Sequence, residues 1–215
     1  MLHNIVVMGN NDLGKMHVKL LQRIPSVVVK SADTFEVEEI DAVVITEKTD
    51  RTLQVLHAVA NVGKPIFYLQ PDFEAKELAK LNDGMKLQVG FNRRFDPHFL
   101  HVKEKIANGL LGHVHLVRIT NHPIISIHDI DMARFITGQE VKEVFAMRSQ
   151  VNEIETIIAT LKMENNALVI IEASGGNEYD QRLEVFGEQG ALTVENVAKT
   201  TTQYHSTAGV LSEKP

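Results

Sequence analysis

The sequence predicts an α/β protein in two parts. The first is a parallel, doubly wound sheet, and the second an α+β domain with an open, mostly antiparallel sheet. Three observations lead there. Short apolar runs alternate with helix-spaced stretches from Asn4 to Phe91, the signature of a parallel sheet covered by helices. Beyond that point two helical patterns are followed by strands that succeed one another directly, which suits an antiparallel sheet. Turn residues punctuate both halves.

In order, "NIVVM" (4–8) reads as a buried strand, and residues 12–23 as a helix with Leu13, Met16, Leu20 and Leu21 at helical spacing. "SVVVK" (26–30) and "DAVVIT" (41–46) are the next strands, followed by a helix near 50–62. "PIFYL" (65–69), a helix over 72–82 and "KLQVGF" (86–91) complete the first domain. The second opens with a helix between Pro97 and Gly109, the strand "HVHLVRIT" (113–120) and the helix "SIHDIDMARFITG" (126–138). There Ser126 and Asp129 have capping-box spacing and Gly138 is a stop. Strands follow near 142–149, 155–163, 167–174, 181–187 and 190–195, and the Thr- and Ser-rich residues 196–215 are expected to fray. The domains are placed at 1–93 and 94–215.

Composition narrows the function. A net charge of −6 and a pI near 5.9 argue against nucleic acid as a partner. The absence of cysteine excludes disulfides, thiol catalysis and cysteine-based metal sites. "MLHNIVVMGN" lacks the features of a leader, and no apolar run approaches a membrane span, so a cytoplasmic protein is expected.

The first strand leads into "GNNDLG", Gly9 to Gly14. This is the place of a G-x-G-x-x-G dinucleotide turn, with Asn11 where the middle glycine would allow close approach to a pyrophosphate. Asp12 suits the helix dipole but repels phosphate. Asp33, after the second strand, stands where a carboxylate could accept from a ribose hydroxyl, or is a solvated loop residue. His128 lies in the first turn of its helix, where the dipole favours a neutral imidazole able to take a proton; local packing is the other reading. Arg93 and Arg94 could face an anionic or polyol ligand, or form ion pairs. His113, His115 and His122 have no carboxylate at ligand spacing, so no metal site is expected.

"VGFNRRFDP" (89–97), "HDIDMARFITGQEVKEVFA" (128–146) and "YDQRLEVFGEQGAL" (179–192) together resemble the Gfo/Idh/MocA oxidoreductase family, on the side of its inositol 2-dehydrogenase-like members. The resemblance runs from residue 4 to about 196. It implies a Rossmann-like dinucleotide-binding domain and a C-terminal substrate and oligomerisation domain, NAD or NADP as cofactor, and a sugar or polyol as substrate. It also implies a homo-oligomer, dimer or tetramer, formed through the C-terminal sheet.

The cofactor set implied is Gly9, Asn11, Leu13, Gly14 and Asp33. The catalytic histidine falls on His128, and substrate contacts fall on Arg93 and Tyr179. Departures are as informative. The family's strand-end lysine falls on Gln70, which cannot titrate, and its acid four residues before the histidine falls on Ile124. The stretch between Asp33 and Asp41 is too short for the helix usual there, and the segment between Arg118 and His128 is shortened. The family continues beyond "GALTVEN" through further strands and a helix. The resemblance therefore implies an oxidoreductase homologue with weakened or lost catalysis. A working dehydrogenase using His128 and a neutral Gln70, a non-catalytic homo-oligomeric scaffold, and a nucleotide-binding sensor remain open beside it.

Overall fold

The computed structural model describes residues 1–69, 84–176, 181–195, 202–206 and 209–213. The chain divides into two compact units, Met1–Gly90 and Phe91–Pro215. The division comes three residues before the expected 93/94 boundary; Arg93 and Arg94 pair with carboxylates of the second unit.

In the first unit, β1 (His3–Met8), β2 (Val27–Ser31), β3 (Ala42–Ile45), β4 (Ile66–Tyr68) and β5 (Leu87–Val89) form a parallel sheet in the order β2-β1-β3-β4-β5. The chain steps from β1 to β2 in one direction and from β3 towards β5 in the other. Right-handed crossovers then place α1 (Asp12–Leu21) and α2 (Thr52–Asn61) on opposite faces. The β1/β3 boundary is the topological switch point, where ligands of open α/β sheets gather at the strands' carboxyl ends.

The face bearing α2 holds the core. Val6, Met8, Val43, Ile45, Ile66 and Tyr68 pack with Val55, Leu56 and Val59. Each such fully buried aliphatic side chain contributes roughly 1.5–3 kcal/mol. The α1 stripe forms the expected helix, and Leu13, Met16 and Leu20 on it are exposed. Between β2 and β3 the short connection holds only a 3-10 turn, Val37–Glu39, whose carbonyls accept from Lys64 Nζ.

The second unit begins with a 3-10 turn, Asn92–Phe95, and α3 (Pro97–Ala107), capped by Asp96 onto the His98 amide. Then come β6 (Val114–Asn121), α4 (Ile127–Thr137), β7 (Val141–Val151), β8 (Ile154–Met163), β9 (Leu168–Ser174), β10 (Arg182–Gly187) and β11 (Gly190–Glu195). Residues expected to fray instead form β12 (Thr202–Ser206) and β13 (Gly209–Glu213). That hairpin adds to the free edge of β11, and this pairing satisfies backbone groups that composition alone would leave to water.

The resulting sheet runs β13-β12-β11-β10-β6-β9-β8-β7. It is antiparallel except where β6 meets β9. On one face, Phe99 and Val102 of α3 and Met132 and Ile136 of α4 pack on Val117, Val169, Ile171, Val185 and their neighbours. Alternation sends the other side chains to the opposite face. Among the described residues no helix is long and apolar enough to cross a membrane.

Candidate functional site

Two polar constellations stand out, one in each unit. In the second unit, α4 starts at Ser126. The Asp129 carboxylate reaches back, with Oδ2 accepting from the Ser126 amide at 2.7 Å and from its hydroxyl at 2.9 Å. Asn121, at the end of β6, donates through Nδ2 to both Asp129 oxygens, at 3.0 and 2.9 Å. Arg93 Nη1 donates to Asp129 Oδ1 at 2.5 Å. Asp129 is fully buried, so every one of these donors offsets the cost of taking its charge out of water. One turn face away, Arg94 grips the buried Asp131 in a bidentate pair, at 2.8 and 2.5 Å, and lies over the rings of Phe91 and Phe135.

This framework positions His128 in the first turn of α4. Its ring meets Phe91 edge-on, with centroids 5.8 Å apart. Burial pushes the His128 imidazole below its ordinary value of 6.5. The Arg93 charge pushes the same way, against Asp129 and Asp131. The neutral form, the one able to accept a proton, is therefore favoured near neutral pH. Its Nδ1 is buried and has no hydrogen-bond partner among the described residues. Ile124, on which the resemblance places the family's acid, is exposed.

The other constellation is the turn between β1 and α1. Gly9 is required by its φ of +115° and by the Thr46 hydroxyl, 2.3 Å from where a Cβ would lie, and Gly14 by the Gly9 carbonyl oxygen, 2.2 Å from its Cβ position. Asn11 caps α1: its Oδ1 accepts from the Gly14 amide at 2.8 Å. Thr46, after β3, donates its hydroxyl to the Met8 carbonyl at 3.1 Å. Its neighbour Glu47 turns across the loop and accepts the Asn10 amide on Oε1 at 2.8 Å. Leu13 is exposed in the first turn of α1, and Asp33 is exposed just beyond β2.

Of the residues singled out from sequence, Gly9, Asn11, Leu13 and Gly14 thus fall together in one turn. Asp33 follows the adjacent strand, and Arg93 and His128 belong to the α4 framework. Gln70 and Tyr179 lie outside the described residues. The reading that gave Arg93 and Arg94 to ion pairs describes their geometry. Asn121, Phe91 and Glu47 were not singled out. Asn121 lies eight residues from Asp129 and Glu47 lies 37 from Asn10, separations at which no local pattern signals a contact. Among the described residues no group of histidines and carboxylates could hold a metal ion.

A model of the GFO/IDH/MocA C-terminal domain matches residues 124–193. The uncharacterized oxidoreductase YrbE of Bacillus subtilis (strain 168) is 33% identical over 267 residues, covering 97% of this chain and 78% of that protein. The chain belongs to the Gfo/Idh/MocA oxidoreductase family. The match to YrbE is longer than this 215-residue Gfo/Idh/MocA chain itself, so the relative carries internal segments absent here. The inositol 2-dehydrogenase of Rhizobium meliloti (strain 1021) is 35% identical over 204 residues, 78% of this chain and 61% of that enzyme. The chain thus spans about three-fifths of that enzyme's length. A scyllo-inositol dehydrogenase from Lactobacillus casei, solved with bound NAD(H) and scyllo-inositol, superposes with a TM-score of 0.77 at 20% identity. It covers 100% of this chain and 82% of that one, a likeness of fold.

The family's cofactor can be tested against the turn as it stands. A dinucleotide pyrophosphate needs free backbone amides and a positive helix end. Here the Asn10 and Gly14 amides already donate to side chains of the chain itself, and Asp12 adds a second carboxylate in the first turn of α1. The glycine packing of a dinucleotide turn is kept, but two of its amides are taken and carboxylates stand at the helix start. In this arrangement the residues do not fit a pyrophosphate.

Proposed function

We propose that this chain is an inositol 2-dehydrogenase-like member of the family, of the sugar or polyol class, in which catalysis is weakened or lost. One observation carries the reading: His128 keeps the neutral state of a base, but among the described residues no hydrogen bond to its Nδ1 orients it. Its Nδ1 is buried with no partner among the described residues, and Ile124 stands in place of an acid. A general base works when a second group fixes its tautomer and direction. Nε2 of His128 would still accept a proton from a substrate hydroxyl. Arg93 acts here through Asp129, by fixing the first turn of α4. Gln70, on which the resemblance places the family's lysine, carries an uncharged amide. NAD and NADP stay open as the nucleotide, and no step is drawn through either.

The test is turnover. With saturating NAD or NADP and a panel of inositols and sugars, reduced nicotinamide should form slowly or not at all. Any rate present should vanish in His128→Ala. It should rise with pH through a group that titrates below 6.5, the direction in which burial and Arg93 move the imidazole. Brisk turnover that requires His128 would refute the proposed loss.

A second reading, the homo-oligomeric scaffold, has its own support. On the outer face of the second sheet, register places Met147 opposite Ile158 and Val151 opposite Ile154. Phe145 and Leu168 share that face, and all six side chains are exposed. An apolar surface of this kind marks an interaction site, and we assign it to a second copy of the chain. Light scattering at micromolar concentration should give a dimer or tetramer, which Met147→Asp with Ile158→Asp dissociates; a monomeric native chain would rule this out.

A further inference from the structure

We propose that Glu47 closes the anion-binding turn of the first unit from within, so that this one carboxylate sets how tightly the unit takes a dinucleotide. The inference rests on the reading that the first unit descends from a dinucleotide-binding domain, and it identifies the residue that opposes the ligand.

Three observations place the carboxylate there. Glu47 Oε1 accepts the Asn10 amide at 2.8 Å. The same side chain lies across Gly9: a Cβ built on that glycine would come within 3.0 Å of Glu47 Cγ and 3.2 Å of Oε1. Glu47 is half-buried and follows directly on Thr46, which is buried and anchored to the Met8 carbonyl. The carboxylate therefore leaves a fixed point and reaches the turn along a short, defined path. It offers an anionic oxygen to a backbone amide of the turn, as a phosphate oxygen would.

Asn11 has a different role. Its amide oxygen caps Gly14, as a helix N-cap normally does, and it carries no charge. Asp12 is exposed, with Lys15 3.8 Å away, and solvent screens that pair. Glu47 combines a net charge with a direct hold on a turn amide, so its removal both frees a donor and lifts a like-charge repulsion from an incoming phosphate.

The experiment uses the full chain and three probes: NADH, followed by its fluorescence and by calorimetry, ADP-ribose, and inorganic pyrophosphate. The variants are Glu47→Gln, which keeps an acceptor oxygen but no charge, and Glu47→Ala, which removes both. Thermal melting and the Asn10 amide resonance report that each variant folds and that the contact has changed. Glu47→Ala is expected to bind NADH about tenfold more tightly than the native chain or better, the scale of one charge-assisted hydrogen bond. Glu47→Gln should fall between, and pyrophosphate and ADP-ribose should follow the same order. If native and Glu47→Ala chains bind NADH equally well, the proposal fails while the dinucleotide reading stands. If folded Glu47→Ala, with its Asn10 amide shifted, binds no probe at millimolar concentration, both fail.

Discussion

Asp129→Ala should unfold the second unit about 3–5 kcal/mol more easily, the cost of breaking a buried ion pair from one side. Asp129 is fully buried and gathers the Arg93 guanidinium, the Asn121 amide and the start of α4. Its removal strands the mostly buried Arg93 charge and leaves Asn121 Nδ2 without its carboxylate. Urea unfolding followed by circular dichroism gives the magnitude. The Arg93→Met, Asp129→Leu double variant should lose less than Asp129→Ala, because no charge is then left alone. An equal loss would mean that packing, and not the charge, holds this corner.

Gly14→Ala should destabilise the first unit by about 3 kcal/mol, at the upper end for overpacking. The new methyl would meet the Gly9 carbonyl oxygen at 2.2 Å, the Gly9 carbonyl carbon at 3.0 Å and Thr46 Oγ1 at 3.1 Å. Backbone atoms cannot swing aside, so α1 must move off β1. Gly63→Ala is the matched control. Gly63 has φ +67°, but a Cβ there meets nothing within 4 Å, so only conformational strain of about 1 kcal/mol is expected. Denaturation of the two variants in parallel separates the effects. A cost at Gly14 no larger than that at Gly63 would show that the helix relaxes freely.

The parts of this fold legible in the sequence are those written locally. Apolar runs gave β1, β3 and β4 because strands buried on both faces need nearly continuous hydrophobic side chains. Ser126 and Asp129 announced α4 because a cap and its partner lie three residues apart, and Gly138 ends that helix at φ +67°. Less legible was what a residue touches across the chain. The helical spacing of Leu13, Met16 and Leu20 is real, yet periodicity cannot say whether a neighbour covers the stripe. His128 could be found by its place in a helix, but Asn121, Phe91 and Glu47 act through contacts that only the folded chain creates. The β12–β13 hairpin was hidden for the same reason, since its stabilising edge belongs to β11.

The position of β6 bears on how the second unit can be assembled. This strand lies between β10 and β9, with Val117 beside both Val185 and Val169. Both neighbours are made long after it, and β7 and β8, which come between in sequence, pair elsewhere. Until residue 168 has left the ribosome, β6 has no sheet partner and both of its edges are bare. Closing such long loops is entropically expensive and slows the sheet, whereas every described strand of the first unit is already complete by Val89. Synthesis from the N-terminus thus gives the two units different histories, one able to form on emergence and the other waiting for its centre to be enclosed.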